Sequence, residues 1–132
     1  MSEHPLIAVV DDDASMCEAL QRLLRLEGFR TAVFTLAEDF LHAGQLQDTA
    51  CAIVDVRMPR MSGLDLQQHL ATIQCPVPLI FITAHGDAEA RARALRAGAV
   101  DFLYKPFREA VLLRAIQSAL QASQDSGAGT PC

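Results

Sequence analysis

The sequence predicts an α/β fold, a doubly wound domain with a parallel sheet and helices on both faces. Three observations carry this. Five short apolar runs alternate with five segments of helical periodicity. The runs are almost continuously apolar, as strands buried on both faces are. Acidic, hydroxyl and ammonium groups follow four of the runs, at the edge where open sheets of this kind bind ligands.

The elements follow in order. Leu6 to Val10 reads as the first strand. Ala14 to Glu27 is a helix with Met16, Leu20, Leu23 and Leu24 at helical spacing, capped by Asp13 or by a Ser15/Glu18 capping box and stopped by Gly28. Phe29 to Phe34 is the second strand, and Thr35 is expected to cap a short helix from Leu36 to Ala43. Ala50 to Val54 is the third strand, ending at Asp55, and the Pro, Ser and Gly of 57–63 make a loop. Ser62 and Asp65 fit a capping box opening a helix to Ile73. Leu79 to Ile82 is the fourth strand, Asp87 caps a helix to Ala97, and Gly98 ends it. Val100 to Tyr104 is the fifth strand. A last helix runs from Phe107 to Gln121, with Val111, Leu112, Ala115, Ile116 and Leu120 as its buried stripe. Residues 1–121 thus read as one domain, and 122–132 as a flexible tail or the start of an interdomain linker.

Composition narrows the function. The 132 residues are one domain's length, 51% hydrophobic and 20% charged, a globular balance. A formal charge of −5 with no basic cluster argues against direct nucleic-acid contact. No apolar run reaches the roughly 18 residues of a membrane span, and the N-terminus lacks the basic patch of a signal peptide. Cys17, Cys51, Cys75 and Cys132 have neither metal nor C-x-x-C spacing and read as free thiols of a reducing, cytoplasmic setting. Of eleven basic residues only Lys105 is lysine, which singles out a position for a compact ammonium.

The strand ends carry the chemistry. The first ends in Asp11-Asp12-Asp13, the third in Asp55, the fourth in Thr83-Ala84, and the fifth in Lys105-Pro106. Where the first and third strands are neighbours, three carboxylates converge. Two unit charges about 4 Å apart repel by about 4 kcal/mol at an effective dielectric near 20, so the cluster needs a cation. Oxygen ligands without His or Cys suit Mg²⁺. With Thr83 and Lys105 able to hold an anion, the set points to phosphoryl transfer to Asp55. His4, His42 and His69 stand apart, while His85 is close enough to line the site.

These segments resemble the receiver domain of two-component response regulators over residues 5–121. The matching text is Val9-Val10-Asp11-Asp12-Asp13, Ile53-Val54-Asp55-Val56-Arg57-Met58-Pro59, Met61-Ser62-Gly63, Phe81-Ile82-Thr83-Ala84 and Lys105-Pro106-Phe107. Thr83-Ala84-His85-Gly86-Asp87 and Ala97-Gly98-Ala99-Val100-Asp101-Phe102 are most similar to the FixJ/NarL-type branch. The resemblance implies a single (βα)5 domain of the flavodoxin-like, CheY-like kind with strand order 2-1-3-4-5. It implies a signalling domain rather than a turnover enzyme, one that catalyses its own phosphorylation and a slow autodephosphorylation. Asp55 would accept a phosphoryl group from a sensor histidine kinase. Asp12, Asp11, Asp55 and the Arg57 backbone carbonyl would hold Mg²⁺ or Mn²⁺. Thr83 and Lys105 would contact the phosphoryl oxygens, and the Lys105–Pro106 bond would be cis. Phe102 would turn inward with Thr83, reshaping the face made by the fourth helix, fifth strand and fifth helix. A homodimer on phosphorylation and control of a C-terminal DNA-binding domain would follow.

Three alternatives stay open at this point. A small Mg-dependent phosphohydrolase with an aspartyl nucleophile would use the D-x-D spacing within Asp11-Asp12-Asp13, but needs a further acidic pair where the fourth strand ends in Thr83-Ala84-His85-Gly86. A flavin carrier of the same fold needs a phosphate loop where three aspartates stand. An interaction module that is never phosphorylated would not need the acid set.

Overall fold

The computed structural model describes residues 4–85 and 88–125. Its elements are β1 (Leu6–Val10), α1 (Ala14–Leu26), β2 (Arg30–Phe34), α2 (Ala37–His42), β3 (Thr49–Asp55), α3 (Gly63–Thr72), β4 (Leu79–Thr83), α4 (Ala88–Arg96), β5 (Asp101–Tyr104) and α5 (Glu109–Asp125). The strands form one sheet in the order β2-β1-β3-β4-β5, all neighbours parallel. Residues alternate between the two faces of a strand. Ala8, Val10, Val54, Phe81 and Phe102 therefore pack under α2, α3 and α4, while Ile7, Val9, Ile53, Ile80 and Ile82 pack under α1 and α5. Both faces are covered, which is why the central strands are apolar throughout.

The register lines up the strand ends. Val10 pairs with Val54, Asp55 with Ile82 and Thr83 with Tyr104, so the residues that follow β1, β3, β4 and β5 emerge along one edge.

Several local expectations change. Asp13, not a Ser15/Glu18 box, caps α1, its Oδ1 accepting from the N–H groups of Ser15 at 2.9 Å and Met16 at 3.3 Å. The buried face of α1 is Cys17, Leu20 and Leu24, with Met16 and Leu23 at its margin. The Ser62/Asp65 capping box of α3 is present. In α2, Leu36 takes the cap position without a side-chain hydrogen bond, so Thr35 does not cap it. In the stripe of α5, Leu112, Ala115 and Ile116 are buried as expected and Leu120 is half-buried at its margin, while Val111 is exposed and Ala119 is buried. The helix also continues four residues beyond Gln121, since no Gly or Pro intervenes before Gly127. The Asp87 cap and the remainder of the expected tail lie outside the described residues.

Cys17 and Cys51 are free thiols, both buried. Burial pushes the Cys51 thiol up to about 12, leaving it an inert core residue. Among the described residues no helix is long and apolar enough to cross a membrane.

Candidate functional site

β1 and β3 lie side by side, so the Asp11-Asp12 pair and Asp55 meet at the sheet edge. Ligand atoms of Asp11, Asp12 and Asp55 all fall within 4.8 Å of one another. Asp11 and Asp55 are buried and Asp12 is exposed, so the cluster opens to solvent on one side.

Each group is held. The Asp11 amide donates to the Phe34 carbonyl at 3.0 Å, and Asp11 Oδ1 accepts from the Asp13 N–H at 2.9 Å. The Cys17 thiol donates to the Asp11 carbonyl at 3.1 Å. Asp55 Oδ1 accepts from the Arg57 N–H at 3.1 Å. Lys105 Nζ donates to Asp11 Oδ2 at 3.1 Å and Asp55 Oδ2 at 3.4 Å. The Lys105–Pro106 peptide is cis, and the Lys105 amide donates to the Thr83 carbonyl at 2.7 Å.

Behind Asp55 stands Gly63, the first residue of α3. Its N–H donates to the Val56 carbonyl at 2.9 Å, and a Cβ there would lie 2.5 Å from the Asp55 carbonyl oxygen. In the sequence Gly63 is a loop residue and the end of the Met61-Ser62-Gly63 match, neither of which specifies this packing role. The usable signal was a glycine directly after a serine cap, where a side chain would ordinarily be tolerated.

Asp11, Asp12, Asp55 and Lys105 are therefore brought together as expected. Thr83 is buried at the adjoining strand end, but its hydroxyl is engaged locally: it accepts from the His85 N–H at 3.2 Å and faces the His85 carbonyl at 3.4 Å. His85 is exposed and meets Thr83 through its main chain. Arg57 likewise meets Asp55 through its backbone, with its side chain exposed. Phe102 is already inward, 4% exposed, with ring centroids 6.1 Å from Phe81 and 5.6 Å from Tyr104. The inward turn expected to accompany phosphorylation is thus already made here. Its packing between two aromatic rings supplies the physical reason.

The electrostatics show a site short of positive charge. The Asp55 carboxyl is pushed up to about 6, first by burial and then by the charge of Asp11, against the opposing Arg57 N–H and Lys105. Burial pulls the Lys105 ammonium down, but the hydrogen bonds and charges of Asp11 and Asp55 outweigh it and hold it above the usual lysine range. Lys105 pairs with Asp11 and Asp55, and one ammonium against the three clustered carboxylates leaves two negative charges, the complement of one divalent cation. The all-oxygen donor set, with Asp12 on the open side, fits a hard cation that keeps part of its water.

This has a consequence for stability. Without a cation, the folded state keeps on Asp55 a proton that the unfolded chain releases in the ordinary carboxylate range. From about pH 4 to about pH 6 the native state binds more protons, so stability falls as pH rises through that window and levels above it. In urea unfolding with chelator present, the drop from about pH 4 to about pH 8 is expected to be on the order of 2 kcal/mol larger in the native sequence than in Asp55→Asn. Equal pH profiles in the two proteins would contradict this charge balance.

Comparison with known proteins gives concordant matches. The family model described as the response regulator receiver domain matches residues 7–117. The response regulator protein TmoT of Ectopseudomonas mendocina is 45% identical over 130 residues, covering 98% of this chain and 59% of that protein. The solved structure of the response regulator StyR superposes with a TM-score of 0.88 at 44% identity, over 94% of this chain and 63% of that one. The crystal structure of FixJ-N superposes with a TM-score of 0.81 at 35% identity, over 92% of this chain and 96% of that one. The chain spans less than two thirds of the length of the curated relatives it matches. These matches do not favour the phosphohydrolase alternative.

Proposed function

The chain belongs to the response regulator receiver domain family, and from that premise we propose that Asp55 is its phosphoacceptor, phosphorylated by a sensor histidine kinase with Mg²⁺ or Mn²⁺ bound beside it. The observation that carries this reading is the convergence of Asp11, Asp12 and Asp55 at one point, with the ammonium of Lys105 paired to Asp11 and Asp55.

Asp11, Asp12, Asp55 and the Arg57 carbonyl are the groups that would hold the cation. When bound, it would neutralise charge developing on the transferred phosphoryl oxygens. The Asp55 carboxylate attacks phosphorus, and the histidine nitrogen of the donor leaves with the bonding pair. Lys105 shifts from pairing with Asp55 to pairing with a phosphoryl oxygen. The Thr83 hydroxyl, released from the His85 main chain, donates to another. Binding to the new group in one state but not the other gives the switch its free energy. This is one signalling event rather than turnover of a substrate pool, with slow loss of the phosphoryl group from the same carboxylate.

In this reading the receiver, placed at residues 1–121 from sequence, extends with α5 to Asp125, and the remainder of 122–132 is a tail or linker. The output is homodimerisation through α4, β5 and α5, a face carrying Arg91, Arg93, Arg96, Asp101, Arg108 and Glu109. It would control a C-terminal DNA-binding domain in the cytoplasm, with the receiver making no contact with nucleic acid.

The test is intact-mass measurement after incubation with an acyl phosphate. One phosphoryl group is expected with Mg²⁺ and none with chelator. Saturating Mg²⁺ should also raise the melting temperature, since a ligand at 100 times its Kd adds about 2.7 kcal/mol to the folded state. Asp12→Ala should lose that gain. Phosphate released catalytically from phosphomonoesters, with no labelled protein, would refute the acceptor role. A phosphorylated protein that remains monomeric in sedimentation at tens of micromolar would refute the dimer alone.

A further inference from the structure

Five polar side chains are buried among the described residues: Asp11, Asp55, Thr83, Thr49 and Gln67. The first three belong to the acid site. The Thr49 hydroxyl donates to the Gln45 carbonyl at 2.7 Å and closes a local turn. Gln67 has no part in either arrangement, and its hydrogen bond joins two helices. Gln67 Nε2, on α3, donates to the Ala94 carbonyl of α4 at 3.0 Å, across a gap of 27 residues in sequence.

The accepting carbonyl lies at a special place. Ala94 O also accepts from the Ala99 N–H at 3.0 Å, the bond that closes the end of α4 around Gly98, whose φ is +104°. A carbonyl at a helix C-terminus lacks its ordinary partner four residues on; here the Ala99 N–H takes that place and the Gln67 amide is a second donor, favourable at the negative end of the helix. Ala94 is fully buried, so the bond is shielded from water, and losing the Gln67 donor leaves the buried acceptor with the Ala99 bond alone. The apolar hold of α4 is small by comparison: its two buried residues are Ala90 and Ala94, each contributing one methyl. Along that contact, the directional bond from α3 comes at the Ala94 end. α3 itself starts against the Asp55 carbonyl through Gly63. The C-terminal end of α4 is thereby tied to the body that carries the acceptor, while its N-terminal end follows Thr83 in the chain.

We propose that Gln67 is the pivot of α4: the Gln67–Ala94 bond holds the C-terminal end of the helix on α3, so that a change at Thr83 tilts the helix about that end instead of sliding it whole. This rests on the phosphoacceptor reading above. A tilt moves the N-terminal turn most and delivers a local change as a rotation of the outer face.

Hydrogen exchange resolved along α4 tests it, on the whole chain with acyl phosphate and Mg²⁺. Gln67→Met keeps length and volume but removes the donor. Gln67→Glu keeps the size and sets an acceptor against the Ala94 carbonyl. In the unphosphorylated state both should speed exchange at the amides of 97–99 by about fivefold, the factor for a net hydrogen bond of about 1 kcal/mol. On phosphorylation, the native sequence should change exchange in 88–91 and leave 94–99 as they were, whereas Gln67→Met should change both. Unaltered exchange at 97–99 in both variants, or a uniform change along α4 in the phosphorylated native protein, overturns the pivot. If intact mass shows no phosphoryl group at all, the acceptor reading fails and the pivot with it; a labelled protein with uniform exchange sinks the pivot alone.

Discussion

Asp55→Asn is expected to abolish phosphoryl incorporation outright. The native carboxylate is held at both oxygens, Oδ1 by the Arg57 N–H and Oδ2 by Lys105, and it lies within the acid cluster at the sheet edge. Asparagine keeps nearly the same shape but replaces a charged nucleophile with a neutral amide, and it removes one of the carboxylates that would hold the cation. Asp11 cannot stand in, because it is fully buried and bonded to Lys105 and the Asp13 amide. Intact mass and peptide mapping after acyl phosphate treatment would show the loss. Label persisting in Asp55→Asn and vanishing in Asp11→Asn would move the acceptor to Asp11, just after β1. The same variant should be more stable than the native protein at neutral pH without metal, because it relieves the repulsion that pushes Asp55 up. A variant that loses phosphorylation while gaining stability separates a chemical role from a structural one.

The second large effect is expected at Gly63. Its φ is not in the left-handed region, so the need for glycine is one of space. A Cβ would meet the Asp55 carbonyl oxygen at 2.5 Å, Phe81 Cε1 at 3.1 Å and Val54 Cγ1 at 3.1 Å. The first neighbour is strand backbone at the centre of the sheet and has little freedom to yield. Overpacking of this kind typically destabilises by about 1–3 kcal/mol, more than the helix propensity alanine brings. Gly63→Ala should therefore lower the urea midpoint with an unchanged slope, and Gly63→Val should lower it further. Because the displaced atom belongs to Asp55, residual folded Gly63→Ala should also take up phosphate more slowly. Native stability in the alanine variant would mean that α3 shifts freely, and the close approach would then have no role in placing Asp55.

Most of the architecture was legible because its signals are local. A run such as Leu6-Ile7-Ala8-Val9-Val10 has few options other than a strand covered on both faces, and Gly28 and Gly98 mark helix ends by conformations that other residues enter reluctantly. The acid site was legible for the same reason: Asp11, Asp12, Asp55, Thr83 and Lys105 each follow a recognisable strand, and the parallel arrangement puts such ends on one edge. What failed locally failed by competition between near-equal options. Asp13 and Ser15 could both cap α1, and the preceding aspartate reached two amide groups. Val111 and Ala119 could both belong to the stripe of α5, and only the packing of the helix on β3 and β4 chose alanine.

The sequence by itself determined the fold class, the edge on which function gathers and the chemical identity of the groups there, since all three depend on residue type and period along the chain. The tertiary structure decided what depends on distance between segments far apart in it. It set which oxygens Lys105 engages and how strongly burial beside Asp11 raises the carboxyl of Asp55. It put Phe102 between Phe81 and Tyr104, already inward. It required glycine at 63 because the Asp55 carbonyl lies where a methyl would go, and it turned Gln67, an unremarked residue of an amphipathic helix, into a buried bond between α3 and α4. None of these follows from composition or period, because each is a contact energy that exists only once the sheet has brought its partners within bonding distance.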